Sequence, residues 1–333
     1  MFMNRVLSFS LIVLVLVNSS FHVGNAMGDE PQKETQNESS KEASARWNLA
    51  VKTAGGTQIW TDHLYRGGYR IQQNALTGHW RLLDSANIRR AWGTRSQCNT
   101  ALNKLEPAAQ GDALDQPKHI VILLHGLMRT RNSMALLEEK LHEAGYQDVI
   151  RFSYASTRTS IGDHALALRE VMDGFPEKTQ FSFVGHSMGN IVVRHLVGDL
   201  LKGDSTSLLD RCKTMVMLGP PNQGASIARR LAPTGLYEIV TGKGGMELGP
   251  QWNEFVKQLA TPTFPFAIVA GDVSANRVQN PLIDGASDFV VSIDEAKLDG
   301  CESFQTVPVL HSFLMRDESA AKITIDFLRS HDH

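Results

Sequence analysis

The sequence contains few cysteines and none of the short motifs that bind metals or phosphates. Its three cysteines, Cys98, Cys212 and Cys301, form neither a Cys-x-x-Cys pair nor a cluster with histidine. We therefore predict no metal site. No glycine-rich loop that could cradle phosphates is present. The cysteines allow at most one disulfide and one leftover thiol, which fits a protein of an oxidising compartment.

The chain also lacks a surplus of charge of either sign. Its formal net charge is −2 at pH 7. The sequence thus has neither the basic footprint of a nucleic-acid-binding protein nor the acidity of a disordered activator. With 333 residues, of which 42% are hydrophobic, it can bury the core of one α/β domain with extensions.

The first apolar run is too short to cross a membrane. It covers residues 6–17, about a dozen, whereas a spanning helix needs roughly 20. Arg5 precedes the run and Gly24-Asn25-Ala26 offers a small-residue cleavage site, so residues 1–26 are predicted to be a signal peptide. The protein is therefore expected to be exported, to the periplasm or the medium, after cleavage near Ala26. Residues 27–46, rich in charge and serine, are predicted to be a disordered leader.

From residue 117 onward, strand-like and helical segments alternate. The run from Ile120 to Leu124 is continuously apolar, as expected of a strand buried on both faces of a parallel sheet. The alternation predicts an α/β fold with a doubly wound, mostly parallel sheet over residues 117–331, with ligands at the carboxyl ends of the strands. Strands are expected at residues 120–124, 149–154, 181–184, 214–218, 266–270 and 306–310, and helices at 133–144, 161–172, 188–202 and 319–328.

Residues 47–116 predict a small N-terminal extension that lengthens or covers this sheet. Residues 68–73 and 79–83 flank a short loop that ends in glycine, which favours a β-hairpin. Residues 88–105 are weakly helical. Cys212 and Cys301 each precede a predicted strand, so both should lie at the amino-terminal edge of the sheet. A disulfide between them is conceivable unless their Cα atoms are more than about 7 Å apart.

The alternation breaks between residues 225 and 265, a segment that we call the cap. Its apolar residues are too irregularly spaced for a core helix, and residues 242–245 contain three glycines. A long insertion at the carboxyl end of a sheet is usually functional, so we interpret the cap as a lid that borders the substrate cleft and sets its chain-length preference. The alternative is a surface loop without function. The apolar residues are Leu231, Leu236, Tyr237, Ile239, Met246 and Leu248.

The strand, turn and helix around residues 179–201 contain the pattern Gly185-His186-Ser187-Met188-Gly189. This arrangement is typical of a nucleophile elbow, in which a strained turn exposes the serine hydroxyl. The turn has no room for side chains two residues before and after the serine, which explains Gly185 and Gly189. The alternative is an ordinary helix start, with Ser187 as the capping residue.

The order nucleophile, acid, histidine predicts the partners of Ser187. His195 lies about 12 Å along the same helix, and His331 and His333 lie in the terminal tail, so His311 is the expected base. Asp288 is the favoured acid, and Asp272, directly after another predicted strand, remains the alternative.

Stabilising the developing oxyanion requires two backbone donors. One is expected from Met188, directly after the nucleophile. The other is expected from Leu127 in the loop that follows residues 120–124, where Gly126 lets the backbone approach the substrate closely. His125 would orient this loop without acting as a second base.

These motifs resemble the α/β-hydrolases of the lipase and esterase type. The matching stretches, in order, are HGLM, GHSMG, LGPPNQG, and ASDFVV followed by LHSF. Many lipases have N-D-G-V-V around the acid, and Ser287-Asp288-Phe289 departs from that pattern, which keeps Asp272 open. The resemblance covers residues 117–329. It implies that no cofactor is required.

The expected function is therefore that of an exported serine hydrolase that cleaves small-molecule or lipid esters through an acyl-enzyme. An acyltransferase or thioesterase with the same triad is the alternative among enzymes. An acyltransferase would transfer the acyl group to an added alcohol in preference to water. A non-catalytic binding protein on a hydrolase fold is a further alternative, although such proteins usually lose a triad residue. Transient contact with a lipid surface would occur through the cap.

Overall fold

The computed structural model describes residues 50–55, 58–106, 118–203, 206–232, 236–274 and 280–332. The predicted signal peptide and leader lie outside these described residues, as does Pro117, the first residue predicted for the α/β domain. Within the described part of the chain, no helix is long and apolar enough to cross a membrane.

The first five strands form an antiparallel sheet, which we call the N-terminal sheet, in the order β1-β5-β4-β3-β2. Helix α1, Arg95–Leu105, packs on it and buries Cys98 and Leu102 against Ile71 and Leu82. The strands are β1 Val51–Lys52, β2 Trp60–Arg66, β3 Tyr69–Asn74, β4 Trp80–Leu83 and β5 Ile88–Gly93.

Two expectations for this region differ from the structure. The predicted hairpin is present as β3 and β4, but it forms the middle of a larger sheet. The predicted weak helix over residues 88–105 is wrong in its first half, which is strand β5. Gly93, with φ of +145°, ends that strand, and a capping box between Thr94 and Gln97 starts the helix.

The second sheet has six strands, all parallel, in the order β11-β10-β9-β8-β6-β7. Alternate residues of its central strands point to opposite faces, so Ile120 and Ile122 enter one core cluster while Val121 and Leu123 enter another. The strands are β6 His119–Leu124, β7 Asp148–Phe152, β8 Gln180–His186, β9 Cys212–Leu218, β10 Phe266–Gly271 and β11 Ser303–Val307.

Helices cover both faces of this parallel sheet, which confirms the predicted fold class. The longer helices are α2 Ala135–Glu143, α3 Ile161–Asp173, α4 Met188–Lys202, α7 Leu236–Leu248 and α10 Glu318–Arg329. The shorter ones are α5 Thr206–Leu209, α6 Ser226–Leu231, α8 Trp252–Phe255 and α9 Ile293–Ala296, with 3-10 turns at Arg131–Met134, Val256–Gln258 and His311–Arg316.

The cap is more helical than its sequence pattern predicts. It contains α6, α7 and α8, and α7 is kinked at Gly242, whose φ is +63°. Leu248 is buried in the main core, so the expectation that no cap residue belongs to a core helix is wrong at this position. Leu231 and Tyr237 pack in a small cluster with Ile283, and the side chains of Leu236 and Ile239 lie outside the described residues.

The sequence allowed a disulfide between Cys212 and Cys301, and this pairing is wrong because all three cysteines are free. Cys212 begins β9, and Cys301 lies just before β11. Strand β10 lies between them, so their backbones are separated by two strand spacings, about 9.5 Å. That distance exceeds the span of a disulfide.

Candidate active site

Ser187 occupies a strained turn between β8 and α4. Its φ of +53° and ψ of −123° are rare for a residue with a side chain. The Ser187 amide donates to the Leu218 carbonyl oxygen on the neighbouring strand at 2.9 Å, which ties the turn to the sheet. The side chain is half-buried and caps no helix amide, so the capping alternative is wrong.

The glycines of the turn are required by close packing. A methyl group on Gly189 would lie 2.6 Å from the Leu124 carbonyl oxygen, and one on Gly126 would lie 3.1 Å from the Ser187 Cβ. The loop after β6 and the turn after β8 are therefore in direct contact. This contact brings Gly126 beside Ser187.

His311 and Asp288 form a buried pair next to this turn. Nδ1 of His311 donates to Oδ2 of Asp288 at 2.6 Å, and Asp288 is only 1% exposed. The other carboxylate oxygen, Oδ1, accepts from the amides of Val290 and Val291 at 3.0 and 2.7 Å. Three donors thus fix the orientation of the Asp288 carboxylate.

The backbone of His311 is fixed from two sides. Its amide donates to the Asp288 carbonyl oxygen at 2.9 Å, and its carbonyl oxygen accepts from Nε2 of His186 at 2.9 Å. The rings of His186 and His311 lie 4.8 Å apart. A methyl group on Gly219 would lie 3.0 Å from His311 Nδ1. His186 directly precedes Ser187, and Gly219 directly follows Leu218, whose carbonyl oxygen accepts from the Ser187 amide. The His311 imidazole therefore lies beside the turn.

Asp272 occupies a different environment. It follows β10, and its Oδ1 accepts from both the amide and the hydroxyl of Ser274, at 2.9 and 2.6 Å. This local hydrogen bonding is that of a turn-capping aspartate. Of the two candidate acids, the structure pairs Asp288 with His311.

Other histidines after Ser187 have partners elsewhere. His195 is paired with Asp199 at 3.0 Å, and His331 with Glu302 at 3.0 Å. His333 lies outside the described residues. Among the described residues, no group of three or more His, Cys, Asp or Glu side chains could hold a metal ion.

The loop after β6, residues 125–128, carries the second expected backbone donor, and we call it the oxyanion loop. His125 is fully buried, and its Nδ1 donates to the Gly126 carbonyl oxygen at 2.9 Å. The ring stacks on Tyr154 at a centroid distance of 4.0 Å, and the Tyr154 hydroxyl donates to the His125 carbonyl oxygen. These contacts are those of a structural histidine that orients the loop, as the sequence predicts.

The cap lies against the side chains of the two residues that are expected to supply the oxyanion donors. A methyl group on Gly244 of α7 would lie 2.9 Å from Met188 Sδ and 3.6 Å from Leu127 Cδ1. The absence of a side chain at Gly244 therefore allows the cap backbone to lie close to both side chains. Glu247, three residues further along α7, accepts from the Ile161 amide at the start of α3 at 2.8 Å.

Three histidines in or near the site are buried: His125 in the oxyanion loop, His186 directly before Ser187, and His164, which packs on Tyr154. Burial lowers the pKa of His125 to about 4 and that of His164 to about 3. Burial also lowers the pKa of His186 well below its usual value. Neither Nε2 of His125 nor Nδ1 of His186 has a partner among the described residues, so a proton there would be buried without an acceptor. All three imidazoles are therefore neutral at pH 7.

We expect the free energy of unfolding to fall as the pH drops from 6.5 toward 4. In that window the unfolded chain binds a proton at each of these histidines and the folded chain does not, which favours unfolding by up to about 1.4 kcal/mol per pH unit per histidine. Urea denaturation at several pH values measures this slope. His164→Gln should flatten it, whereas the exposed control His142→Gln should not. If the free energy of unfolding fell equally steeply with pH in the unsubstituted protein and both variants, the buried, neutral state of His164 would be contradicted.

Sequence reasoning missed several residues that support the site. Tyr154 and Ser156, which follow β7, both contact the oxyanion loop, and His164 packs against Tyr154 at 4.7 Å between ring centroids. Tyr154 fell at the end of a predicted strand, and nothing in the local pattern distinguishes it from a core aromatic. Its position directly after a β-strand at the sheet's carboxyl edge was the available signal.

The family comparison matches the region that carries this geometry. Residues 115–224 match the family model described as "Putative serine esterase (DUF676)". No curated protein sequence matches the chain.

Several solved structures are similar to this chain. Bacillus licheniformis lipase BlEst2 in its mature form is 16% identical, and the match covers 67% of this chain and 96% of the lipase, with a TM-score of 0.50. Phospholipase PlaB from Legionella pneumophila is 18% identical over 64% of this chain and 60% of its own, with a TM-score of 0.49. The metagenomic carboxyl esterase MGS0156 is 14% identical over 67% of this chain and 74% of its own, with a TM-score of 0.45.

At 16% identity, the likeness to the Bacillus lipase shows the fold, and the family model matches the residues that carry the turn at Ser187. The chain thus has the α/β-hydrolase fold, and residues 115–224 resemble a family of serine esterases.

Proposed function

We propose that this protein is an exported serine hydrolase that cleaves carboxylic esters through an acyl-enzyme. Ser187 is the nucleophile, His311 the general base and Asp288 the residue that orients His311. The observation that carries the proposal is the buried His311–Asp288 hydrogen bond of 2.6 Å beside a serine in a strained strand-to-helix turn.

In the acylation step, Ser187 Oγ attacks the ester carbonyl carbon while Nε2 of His311 accepts the hydroxyl proton. Asp288 holds Nδ1 of His311 in its protonated form, so Nε2 carries the lone pair that accepts this proton. The imidazolium then donates the proton to the alcohol oxygen as the carbon–oxygen bond breaks. Water repeats the sequence on the acyl-enzyme, and the free acid leaves with Ser187 restored.

The carbonyl oxygen becomes negatively charged in each tetrahedral intermediate. The amides of Met188 and Leu127 are the proposed donors to it. Met188 is the first residue of α4, where backbone amides have no partner within the helix and the helix dipole favours negative charge. Contact between Gly126 and Ser187 supports the position of Leu127 on the other side of the same site.

Export is the part of the proposal that rests on sequence alone. Residues 1–26 have the charge, apolar core and cleavage site of a signal peptide, and they lie outside the described residues. Free thiols at all three cysteines mean that the described fold depends on no disulfide.

The proposed substrates are esters with an apolar acyl chain, bound beneath the cap. The Gly244 contact with Met188 and Leu127 supports a position of α7 over the reacting carbonyl. Val240 of the cap is 42% exposed and Phe313, two residues after His311, is 51% exposed. These apolar side chains support transient contact with a lipid surface.

A p-nitrophenyl ester series of increasing acyl length tests the activity and the role of the cap. Burying each CH₂ contributes about 0.8 kcal/mol, so kcat/KM should rise about fourfold per CH₂ until the cleft ends. Replacing residues 236–246 by a short Gly-Ser linker, which keeps Glu247 and Leu248, should flatten this rise.

The same series contains the outcomes that would contradict the proposal. Absence of turnover for every ester would overturn the hydrolase assignment. An unchanged chain-length profile in the shortened protein would overturn the role of the cap and leave the triad untouched. Transfer of the acyl group to an added alcohol in preference to water would favour the acyltransferase alternative.

A further inference from the structure

The residue after the proposed oxyanion donor has an unusual backbone conformation. Met128 has a φ of +59°, in the left-handed region that residues with a side chain rarely adopt. Such a conformation persists only where neighbouring groups hold it. The peptide that joins Leu127 to Met128 carries the Met128 amide. The conformation of Met128 therefore fixes the peptide next to the one that carries the Leu127 amide.

Two hydrogen bonds hold the polar groups of Met128. Its amide donates to Ser156 Oγ at 3.1 Å, and its carbonyl oxygen accepts from Gln58 Nε2 at 2.5 Å. Gln58 lies 70 positions earlier in the chain, just before β2, and Ser156 lies 28 positions later, after β7. Both ends of the Met128 residue are therefore held by segments that are distant in sequence.

The segment that carries Ser156 is itself attached to the N-terminal sheet. The amide of Ser153 donates to Asp62 Oδ2 at 2.7 Å, and the Asp62 amide donates to the Ser153 carbonyl oxygen at 2.8 Å. The Ala155 amide donates to Thr61 Oγ1 at 3.2 Å. Residues 153–156 thus continue from β7 along β2.

Asp62 is a rigid anchor for this attachment. It is completely buried, and its carboxylate accepts from the Tyr65 hydroxyl at 2.7 Å and from Gln72 Nε2 at 2.6 Å. Arg70, also buried, lies 3.3 Å from the same carboxylate. A buried charge held by this many donors has one orientation only.

We propose that the N-terminal sheet is part of the catalytic apparatus, because Gln58 and Ser156 hold Met128 in its left-handed conformation and so position the Leu127 amide. Gln58 and Ser156 are positioning residues, since neither touches the substrate. We call the two hydrogen bonds that join Met128 to Gln58 and Ser156 the clamp. The role of Leu127 rests on the proposed function, whereas the clamp itself rests on the observed contacts.

Substitution of the clamp should lower kcat at a nearly constant KM. Removing an oxyanion donor outright costs about 10²–10³-fold in kcat, and displacing one should cost less, so we expect about tenfold for Ser156→Ala and for Gln58→Ala. The matched control is Ser182→Ala, which removes another buried serine hydroxyl, bonded to Thr214 and His119 near the opposite end of β8. The kcat of this control should stay within about twofold of that of the unsubstituted protein when both are assayed well below their unfolding temperatures.

Compensation by glycine distinguishes positioning from general destabilisation. Glycine adopts a positive φ without strain, so Met128→Gly no longer depends on the clamp for its conformation. Ser156→Ala should therefore cost about tenfold in the wild-type background and no more than about threefold in the Met128→Gly background. A loss in kcat equal to that of the control, or an equal cost in both backgrounds, would overturn the clamp.

Amide hydrogen exchange tests the clamp without reference to activity. Exchange at residues 127–129 should accelerate at least tenfold in Ser156→Ala and Gln58→Ala and stay unchanged in Ser182→Ala. Unchanged exchange in the clamp variants overturns the proposal even if the protein is an esterase. Conversely, esterase activity that survives loss of the Ser187 hydroxyl overturns the proposed function. In that case, accelerated exchange in Ser156→Ala and Gln58→Ala would still support the clamp.

Discussion

Ser187→Ala should lower ester hydrolysis by at least ~10³-fold while the protein stays folded. The hydroxyl is the only group on this residue that can form the acyl-enzyme, so its loss removes the covalent route. The residual rate would come from the oxyanion donors and substrate binding alone. The side chain is half-buried and caps no helix amide, so little packing is lost. Steady-state hydrolysis and thermal unfolding of both proteins measure the two effects.

The matched control is Ser312→Ala, because this serine directly follows His311 and is also half-buried. It should retain activity within a few-fold of the unsubstituted protein. A fluorophosphonate should label the unsubstituted protein and Ser312→Ala once per chain and should leave Ser187→Ala unlabelled. Near-normal hydrolysis or labelling in Ser187→Ala would remove the triad assignment altogether.

The turn at Ser187 and the parallel sheet could be predicted because their signals are local. Gly185 and Gly189 flank the serine at fixed spacing, and the apolar run of β6 identifies a strand buried on both faces. The choice of His311 rested on chain order, on the helix length of about 12 Å between Ser187 and His195, and on the position of His331 and His333 in the terminal tail. These inferences need only short-range spacing and the topology of the fold.

The supporting contacts could not be predicted because they join distant parts of the chain. Asp62 and Ser153 are 91 positions apart, and Gln58 and Met128 are 70 apart. No periodic pattern encodes such pairs. The N-terminal sheet was only partly predicted from the sequence. Its strands β2 and β5 mix polar and apolar residues on faces that pack against other elements, so they lack a regular pattern. The cap helices were missed because Gly242 interrupts the pattern of α7.

Asp288→Asn should reduce kcat by about 10³–10⁴-fold, and the reason lies in the donors around the carboxylate. The amides of Val290 and Val291 both donate to Oδ1, so the amide oxygen of the substituted side chain would take that place. Its NH₂ group would then face Nδ1 of His311 as a donor. His311 would be forced to carry its proton on Nε2, and a protonated Nε2 cannot accept the hydroxyl proton of Ser187.

The comparison is with Asp272→Asn, whose side chain caps a turn at Ser274. An asparagine oxygen can accept the same two hydrogen bonds, so this variant should keep kcat within a few-fold. Steady-state kinetics of both variants, with KM determined separately, measure the difference. Because Asp288→Asn leaves the shape of the side chain intact, KM should change little. A larger loss for Asp272→Asn than for Asp288→Asn would transfer the acid's role to Asp272, and the observed 2.6 Å contact of Asp288 with His311 would then be structural.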